Sequence, residues 1–196
     1  MRSEQFIAGD HLEVPRVGYS HHGIYLDDGR VAEYGGNKTA KAEAVVREVE
    51  LAQFDPQGIA HVVSHDAPPL LAQWMPTSLA RAERVARARF LIETAAPGRY
   101  NLFGHNCEHA ATWCATGFPE SHQVRIGLYL NLLRSTATAL LASYAYRRAG
   151  RIPRWIIVTT LIGFWAVTEY HVHQGRFVRE IDRAWRARQS SGSAGT

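Results

Sequence analysis

Cysteine is scarce in this chain, which has only Cys107 and Cys114 among its 196 residues. The two lie seven positions apart in a segment with a helical pattern, which separates them by two turns, or about 10 Å along the axis. A disulfide requires Cα atoms within about 7 Å, so these two thiols are not expected to pair. The sequence therefore argues against a disulfide-stabilised scaffold and favours a reducing compartment.

The chain also lacks an apolar run at its start and a strong excess of charge. Residues 1–10 contain no hydrophobic stretch, so we expect no secretory signal peptide. With 46% hydrophobic residues and a formal charge of only +4, wholesale disorder is excluded. We expect one packed domain with an appendage, and a disordered tail over residues 189–196.

Acidic residues are few in the C-terminal third. Between residues 125 and 188 the basic residues are all arginine, and the acids are Glu169, Glu180 and Asp182. Such an asymmetry favours an anionic surface as partner, either lipid or nucleic acid.

The same region contains two apolar stretches around a basic turn. A full membrane span needs about 20 apolar residues. Residues 126–146 have the length but are interrupted by Asn131 and Arg134, whereas residues 152–170 carry charges only near their ends. Region 121–188 is thus predicted to be an apolar helical hairpin and a membrane anchor, with a transmembrane helix as one form. A hairpin packed on the preceding domain, or a dimer interface, is the alternative.

The first two thirds of the chain alternate short strand-like and longer helix-like segments, which predicts an α+β domain. An Asp28-Gly29 pair between two strand patterns indicates a hairpin turn. The predicted strands cover 11–15, 22–27, 31–34, 44–51 and 59–63, and the predicted helices cover 79–94 and 106–117.

The segment around Cys107 carries the strongest chemical signal. A cysteine at the start of a helix meets backbone N–H groups and the positive end of the helix dipole, which favour the thiolate. The same N–H groups can bind an oxyanion after the thiolate attacks a carbonyl group. Such a nucleophile needs a histidine base, which the fold must supply. A buried core cysteine beside unrelated histidines is the alternative.

A zinc site is a third interpretation of this segment, because His105, Cys107, His109 and Cys114 lie within ten residues. Their spacing does not match the paired spacings of structural zinc sites, and positions 107 and 109 point about 200° apart on a helix. We therefore predict no metal and no cofactor.

Three motifs, in order, resemble the lecithin:retinol acyltransferase family. They are Gly-Asp-His-Leu-Glu-Val-Pro-Arg at 9–16, Tyr-Ser-His-His-Gly-Ile-Tyr-Leu at 19–26 and Asn-Cys-Glu-His at 106–109. The resemblance covers residues 8–118 and implies a catalytic domain over 1–120. It also implies a circularly permuted papain-like (NlpC-type) fold, in which an antiparallel sheet packs on helices.

The resemblance assigns roles to individual residues. It makes Cys107 the nucleophile and His21 the general base and acid. Where the family commonly has a second histidine, this chain has Glu33, which we expect to act as an orienting carboxylate. The residues expected to contribute to binding are Tyr19, His22, Asn106 and His109.

The implied activity is that of a thiol-dependent acyltransferase or phospholipase, which cleaves glycerophospholipid acyl esters through an acyl-thioester on Cys107. The expected partners are a phospholipid substrate and a membrane surface contacted by residues 126–170, with no nucleic acid, and the catalytic domain is expected in the cytoplasm. Two alternatives stay open, a papain-like thiol peptidase or amidase and a catalytically inactive membrane-associated interaction module.

Overall fold

The computed structural model describes residues 6–35, 45–65, 78–94, 106–150 and 154–193. These residues form an α+β fold, as predicted, with one antiparallel five-stranded sheet in the order β4-β3-β2-β1-β5. The strands are β1 (His11–Arg16), β2 (Tyr19–Asp27), β3 (Arg30–Gly35), β4 (Val45–Glu50) and β5 (His61–Val62). The helices are α1 (Leu51–Phe54), α2 (Arg81–Glu93), α3 (Cys107–Thr116), α4 (His122–Ala149) and α5 (Arg154–Ser193). The permuted papain-like topology stays a prediction.

The β2–β3 hairpin forms where the Asp-Gly pair predicts it. Asp28 and Gly29 both have positive φ, 43° and 74°, as a tight turn matching the twist of the strands requires. β2 begins three residues earlier than predicted, because Tyr19 pairs with Arg16 and extends the β1–β2 ladder. β5 is shorter than predicted, since only His61 and Val62 pair with β1.

The two faces of the sheet pack against different partners. Side chains alternate along a strand, so one face presents Ile24 and Leu26, which pack against α2, α3 and the end of α5. The opposite face presents Tyr25 and packs against α1. Both faces of β2 are therefore buried, which holds the strand rigidly between two apolar clusters.

Helix α3 has a clear start and stop. The side chain of Asn106 accepts a hydrogen bond from the His109 N–H at 3.0 Å and caps the first turn. Gly117 ends the helix with φ at 81°, a left-handed conformation that glycine adopts without steric cost. The helix therefore begins at Cys107, within one residue of its predicted start.

Helices α4 and α5 form the predicted hairpin. They contact each other, and Asn131 donates a hydrogen bond to the Gly163 carbonyl at 3.4 Å. Across the described residues, however, no helix is long and apolar enough to cross a membrane. The expectation of a transmembrane helix is thus corrected. Asn131 and Arg134 interrupt α4, and the uncharged run of α5 covers only residues 155–168, which is shorter than the about 20 residues that a span needs.

The last turns of α5 return to the sheet domain. Ile181 and Trp185 lie in the same apolar cluster as α2 and α3, and Asp182 accepts a hydrogen bond from the Trp113 indole at 3.0 Å. The Arg87 guanidinium stacks on both Trp113 and Trp185, 4.5 and 5.2 Å from the ring centroids. The helix then continues to Ser193, into the segment 189–196 for which the sequence predicts a disordered tail. The C-terminal region thus completes the core of the domain.

We expect Ile181→Ala to destabilise the whole domain, because Ile181 is fully buried in the cluster shared with α2 and α3. A buried Ile→Ala change costs about 2–5 kcal/mol. Phe164→Ala is the matched control, since Phe164 is 74% exposed on the same helix and should change stability little. Denaturant unfolding, followed by the circular dichroism of the sheet, measures the stability of the two variants. Equal unfolding midpoints would contradict the conclusion that the end of α5 stabilises the domain.

Candidate active site

Cys107 is the first residue of α3 and is 6% exposed. The first N–H groups of a helix have no carbonyl partner within the helix and carry its positive dipole. The Cys107 sulfur lies 3.9 Å from the Ser20 carbonyl oxygen on β2. The helix start therefore faces the beginning of the strand that carries the two adjacent histidines.

His21 joins this cysteine to Glu33. Its imidazole adjoins the Cys107 side chain, which helps to raise the pKa of the imidazole, and its Nε2 lies 2.8 Å from a Glu33 carboxylate oxygen. Burial alone would lower the pKa of His21, but the contacts with Cys107 and Glu33 outweigh it and raise the pKa to about 9. His21 is thus held as an imidazolium at neutral pH, against the Glu33 carboxylate.

Glu33 is fixed from the opposite side by Arg47. The two residues lie directly across from each other on β3 and β4, and Arg47 Nε and Nη2 both donate to Glu33 Oε1, at 2.9 and 2.7 Å. Burial raises the pKa of Glu33, but the hydrogen bonds from His21 and Arg47 have a larger effect in the opposite direction. The pKa of Glu33 therefore lies below its usual value. The carboxylate is therefore ionised, with one oxygen for each partner.

Sequence reasoning did not find Arg47. Its position follows only from the β3–β4 register, which places it opposite Glu33. A basic residue between a valine and a glutamate of a strand is a weak signal by itself, because most such residues face solvent.

His22 points to the other face of β2, as the alternation of a strand predicts. Its Nδ1 lies 3.0 Å from His11 Nε2, and its Nε2 lies 3.2 Å from the Gln123 side-chain nitrogen. His22 is therefore buried in a separate polar group, whereas His21 is the histidine in contact with Cys107.

The other residues expected to bind substrate occupy different environments. Tyr19 is 57% exposed at the start of β2, directly before Ser20 in the chain. Asn106 is buried and caps α3. His109 is fully buried, with its ring centroid 6.4 Å from that of Tyr170 on α5. Of the three, only Tyr19 is open to a ligand from solvent.

Cys114 is not equivalent to Cys107. It is buried two turns further along α3, where desolvation raises the pKa of its thiol well above the usual value. It is therefore an inert thiol. His105 of the zinc interpretation lies outside the described residues.

Comparison with known families identifies the family of the first part of the chain. A sequence model described as lecithin retinol acyltransferase matches residues 4–120. The chain belongs to the lecithin retinol acyltransferase family. The matched segment contains Cys107, His21, Glu33 and Arg47, whereas α4 and α5 follow it.

Individual family members are distant relatives. Lecithin retinol acyltransferase of Homo sapiens is 29% identical over 143 residues, which are 62% of this chain and 59% of that protein. The protein of the same name from Bos taurus is 30% identical over 140 residues, 60% of this chain and 58% of the relative. The match thus spans about three fifths of the length of these curated relatives.

We expect Glu33→Gln to lower the pKa of His21 from about 9, because the substitution keeps a hydrogen-bonding group but removes the charge. The reactivity of Cys107 should fall more than about tenfold, because each unit by which the His21 pKa falls removes about 1.4 kcal/mol of stabilisation from the imidazolium. The measurement is the rate of iodoacetamide alkylation at Cys107 as a function of pH, with Glu48→Gln, a change of a partly exposed carboxylate on β4, as control.

Stability should respond to pH in the same variant. Because the folded pKa of His21 lies above its ordinary value of 6.5, its protonation stabilises the fold fully below that pH, and this contribution is lost as pH rises through about 9. Glu33→Gln should flatten this dependence. A Glu33→Gln protein with the wild-type alkylation profile would mean that Cys107 and His21 act as a dyad.

Proposed function

We propose that this protein is an acyltransferase that takes acyl groups from a glycerophospholipid ester through an acyl-thioester on Cys107. The observation that carries the proposal is the Cys107–His21–Glu33–Arg47 chain at the start of α3. It unites a nucleophile, a proton carrier and an orienting carboxylate, the three groups that covalent acyl transfer requires.

In the first half-reaction the Cys107 thiolate attacks the ester carbonyl carbon. A C–S bond forms, and the carbonyl electron pair moves onto the oxygen, which accepts a hydrogen bond from the Cys107 backbone N–H. When the tetrahedral intermediate collapses, the C–O bond breaks and the leaving alkoxide takes the proton of the His21 imidazolium. The products are the thioester and the deacylated lipid.

In the second half-reaction an acceptor attacks the thioester carbonyl carbon. Neutral His21 removes the proton of the acceptor, which is an alcohol, an amine or water, and the C–S bond breaks to return the thiolate. Glu33 stabilises the imidazolium each time it forms. Its second oxygen stays on Arg47, so the carboxylate does not rotate away when His21 is neutral.

Lipid access is the second part of the proposal. The α4–α5 hairpin exposes apolar side chains on both helices, including Leu133 at 68%, Leu161 at 63% and Phe164 at 74%. Arg147 and Arg148 end α4 and Arg154 begins α5, so a cationic end adjoins the apolar surface. Apolar area beside arginines and exposed aromatic rings is the composition of a surface that docks on anionic lipid.

The nucleophile is tested by mass spectrometry after incubation with a labelled phospholipid. We expect an acyl adduct on Cys107 that is absent in Cys107→Ala, while Cys114→Ala keeps both adduct and turnover because its thiol is buried and protonated. His21→Gln should reduce turnover by about 10²–10⁴, the usual contribution of general acid–base catalysis. Turnover of Cys107→Ala at the wild-type rate would exclude the thioester.

Membrane docking is tested by flotation with phosphatidylcholine–phosphatidylserine vesicles. We expect the full chain to float with the vesicles and the double variant Leu133→Glu/Leu161→Glu to remain below, because each change places a charge on the apolar surface of the hairpin. Gln189→Glu/Ser190→Glu is the control, since it adds the same two negative charges at exposed positions outside that surface. Equal flotation of all three proteins would refute docking through the hairpin.

A further inference from the structure

A row of hydrogen-bonded side chains lies on the face of β2 opposite His21. His65 Nε2 is 2.7 Å from His11 Nδ1, and His11 Nε2 is 3.0 Å from His22 Nδ1. His22 Nε2 then meets the Gln123 side-chain nitrogen at 3.2 Å. His11 and His22 are 1% and 4% exposed. Three histidines and one glutamine from β1, β2, α4 and the segment after β5 thus form one buried chain.

The main chain of Ser20 fixes the direction of this chain. The Ser20 N–H can only donate, so the atom it meets at 2.8 Å must be the Gln123 side-chain oxygen. The Gln123 amino group therefore faces the other way, toward the Ser20 carbonyl at 3.2 Å, Glu108 Oε2 at 3.1 Å and His22 Nε2. The two hydrogens of the amino group are shared among these three neighbours. Because an amide nitrogen cannot accept a hydrogen bond, a proton on His22 Nε2 would face a donor, and we therefore assign Nε2 as the unprotonated nitrogen.

The tautomers of the other two histidine contacts follow in order. Neutral His22 carries its proton on Nδ1 and donates to His11 Nε2. Neutral His11 then carries its proton on Nδ1 and donates to His65 Nε2. Each hydrogen bond is thus donated in the same direction, from Gln123 toward His65. A proton on His22 Nε2 would place two donors, this N–H and the Gln123 amino group, against each other.

The surroundings keep the buried rings neutral. Burial lowers the pKa of His11, and His22, His65 and Arg84 lower it further. For His22, burial outweighs the opposing charges, and its pKa is lowered as well. The titratable groups that act on the pKa of His22 are Glu108, Glu13, His21 and His61, with His21 on the opposite face of β2.

We infer that this directional chain positions the catalytic pair, with Gln123 as the positioning residue that acts through the Ser20 peptide. The Gln123 side chain hydrogen-bonds the main chain of Ser20 at both its N–H and its carbonyl. The same carbonyl oxygen lies 3.9 Å from the Cys107 sulfur, and the next residue is His21. The inference rests on the proposed function for its catalytic consequence, but the hydrogen-bonded row of side chains does not depend on that function.

Glu108 anchors Gln123 to the helix of the nucleophile. Its carboxylate accepts from the His122 N–H at 2.7 Å, from the Gln123 N–H at 3.3 Å and from the Ser121 hydroxyl, so it holds the first turn of α4. Because Glu108 follows Cys107 directly, the start of α3, the start of α4 and the start of β2 form one rigid unit. α4, which follows the family-matched segment 4–120, thereby contributes a side chain to the site.

The donor-to-acceptor direction of the hydrogen bonds from Gln123 to His65 is tested without any substrate, by the ¹⁵N chemical shifts of the histidine rings at neutral pH. We expect His11 and His22 as Nδ1–H tautomers, the minor form of a free imidazole. The His11→Phe and His22→Phe spectra assign the two signals. Nε2–H tautomers at both rings would overturn the inferred direction.

The positioning role is tested by Gln123→Glu, which keeps the size of the side chain but replaces the donor by an acceptor facing Glu108. We expect alkylation of Cys107 by iodoacetamide at pH 7 to slow by about tenfold to a hundredfold, the cost of a small misplacement of reacting groups. The pH profile should also shift, because His21 and Cys107 no longer share a fixed contact. His122→Ala is the control on the adjacent exposed side chain.

Gln123→Met provides a second, uncharged variant in case Gln123→Glu does not fold. Variants with a wild-type thermal midpoint and an unchanged alkylation profile would overturn the positioning role. Alkylation needs no acyl substrate, so its outcome is independent of acyl transfer. A reactive Cys107 that depends on Gln123 but forms no acyl adduct would refute the proposed function and leave the positioning role standing.

Discussion

The placement of the first turn of α3 against the beginning of β2 is the constraint on which the site depends. Cys107 lies at the positive end of the α3 dipole, because Asn106 caps the helix directly before it. Its neighbours on β2 are Ser20 and His21, and His21 is the group that can exchange a proton with it. In the mechanism that we propose, neither half would function alone, because the Cys107 thiolate needs the imidazolium for its stabilisation and the imidazolium needs the nucleophile at the helix start. The surrounding polar contacts keep these two chain segments in register.

Two carboxylates with different tasks hold this junction. Glu33 is shared between His21 and Arg47 and controls charge, because it favours the protonated imidazole. Glu108 accepts from the first turn of α4 and controls geometry. They approach from opposite faces of β2, so the strand is fixed on both sides of the histidine pair. A buried charge is costly unless it is fully hydrogen-bonded, and each of these carboxylates has several donors.

The sequence could predict what depends on local pattern and little of what depends on register. The Asp28-Gly29 turn, the cap and stop of α3 and the opposite orientations of His21 and His22 all follow from short-range chemistry. Arg47 and Gln123 could not be found in this way, because they reach the site only through strand pairing and the helix crossing. Packing of the α5 end on the domain stood only as the alternative to a membrane anchor, since the arginine-rich composition of that region indicates exposure.

The packing of the α5 end has an optical consequence. The indole rings of Trp113 and Trp185 lie 6.1 Å apart at an angle of 89°, with the guanidinium of Arg87 against both. Two such chromophores, held close in a fixed chiral arrangement, couple their electronic transitions and give a near-ultraviolet circular dichroism band that neither ring has alone. The protein therefore carries an intrinsic spectroscopic reporter of whether its long C-terminal helix is seated on α3.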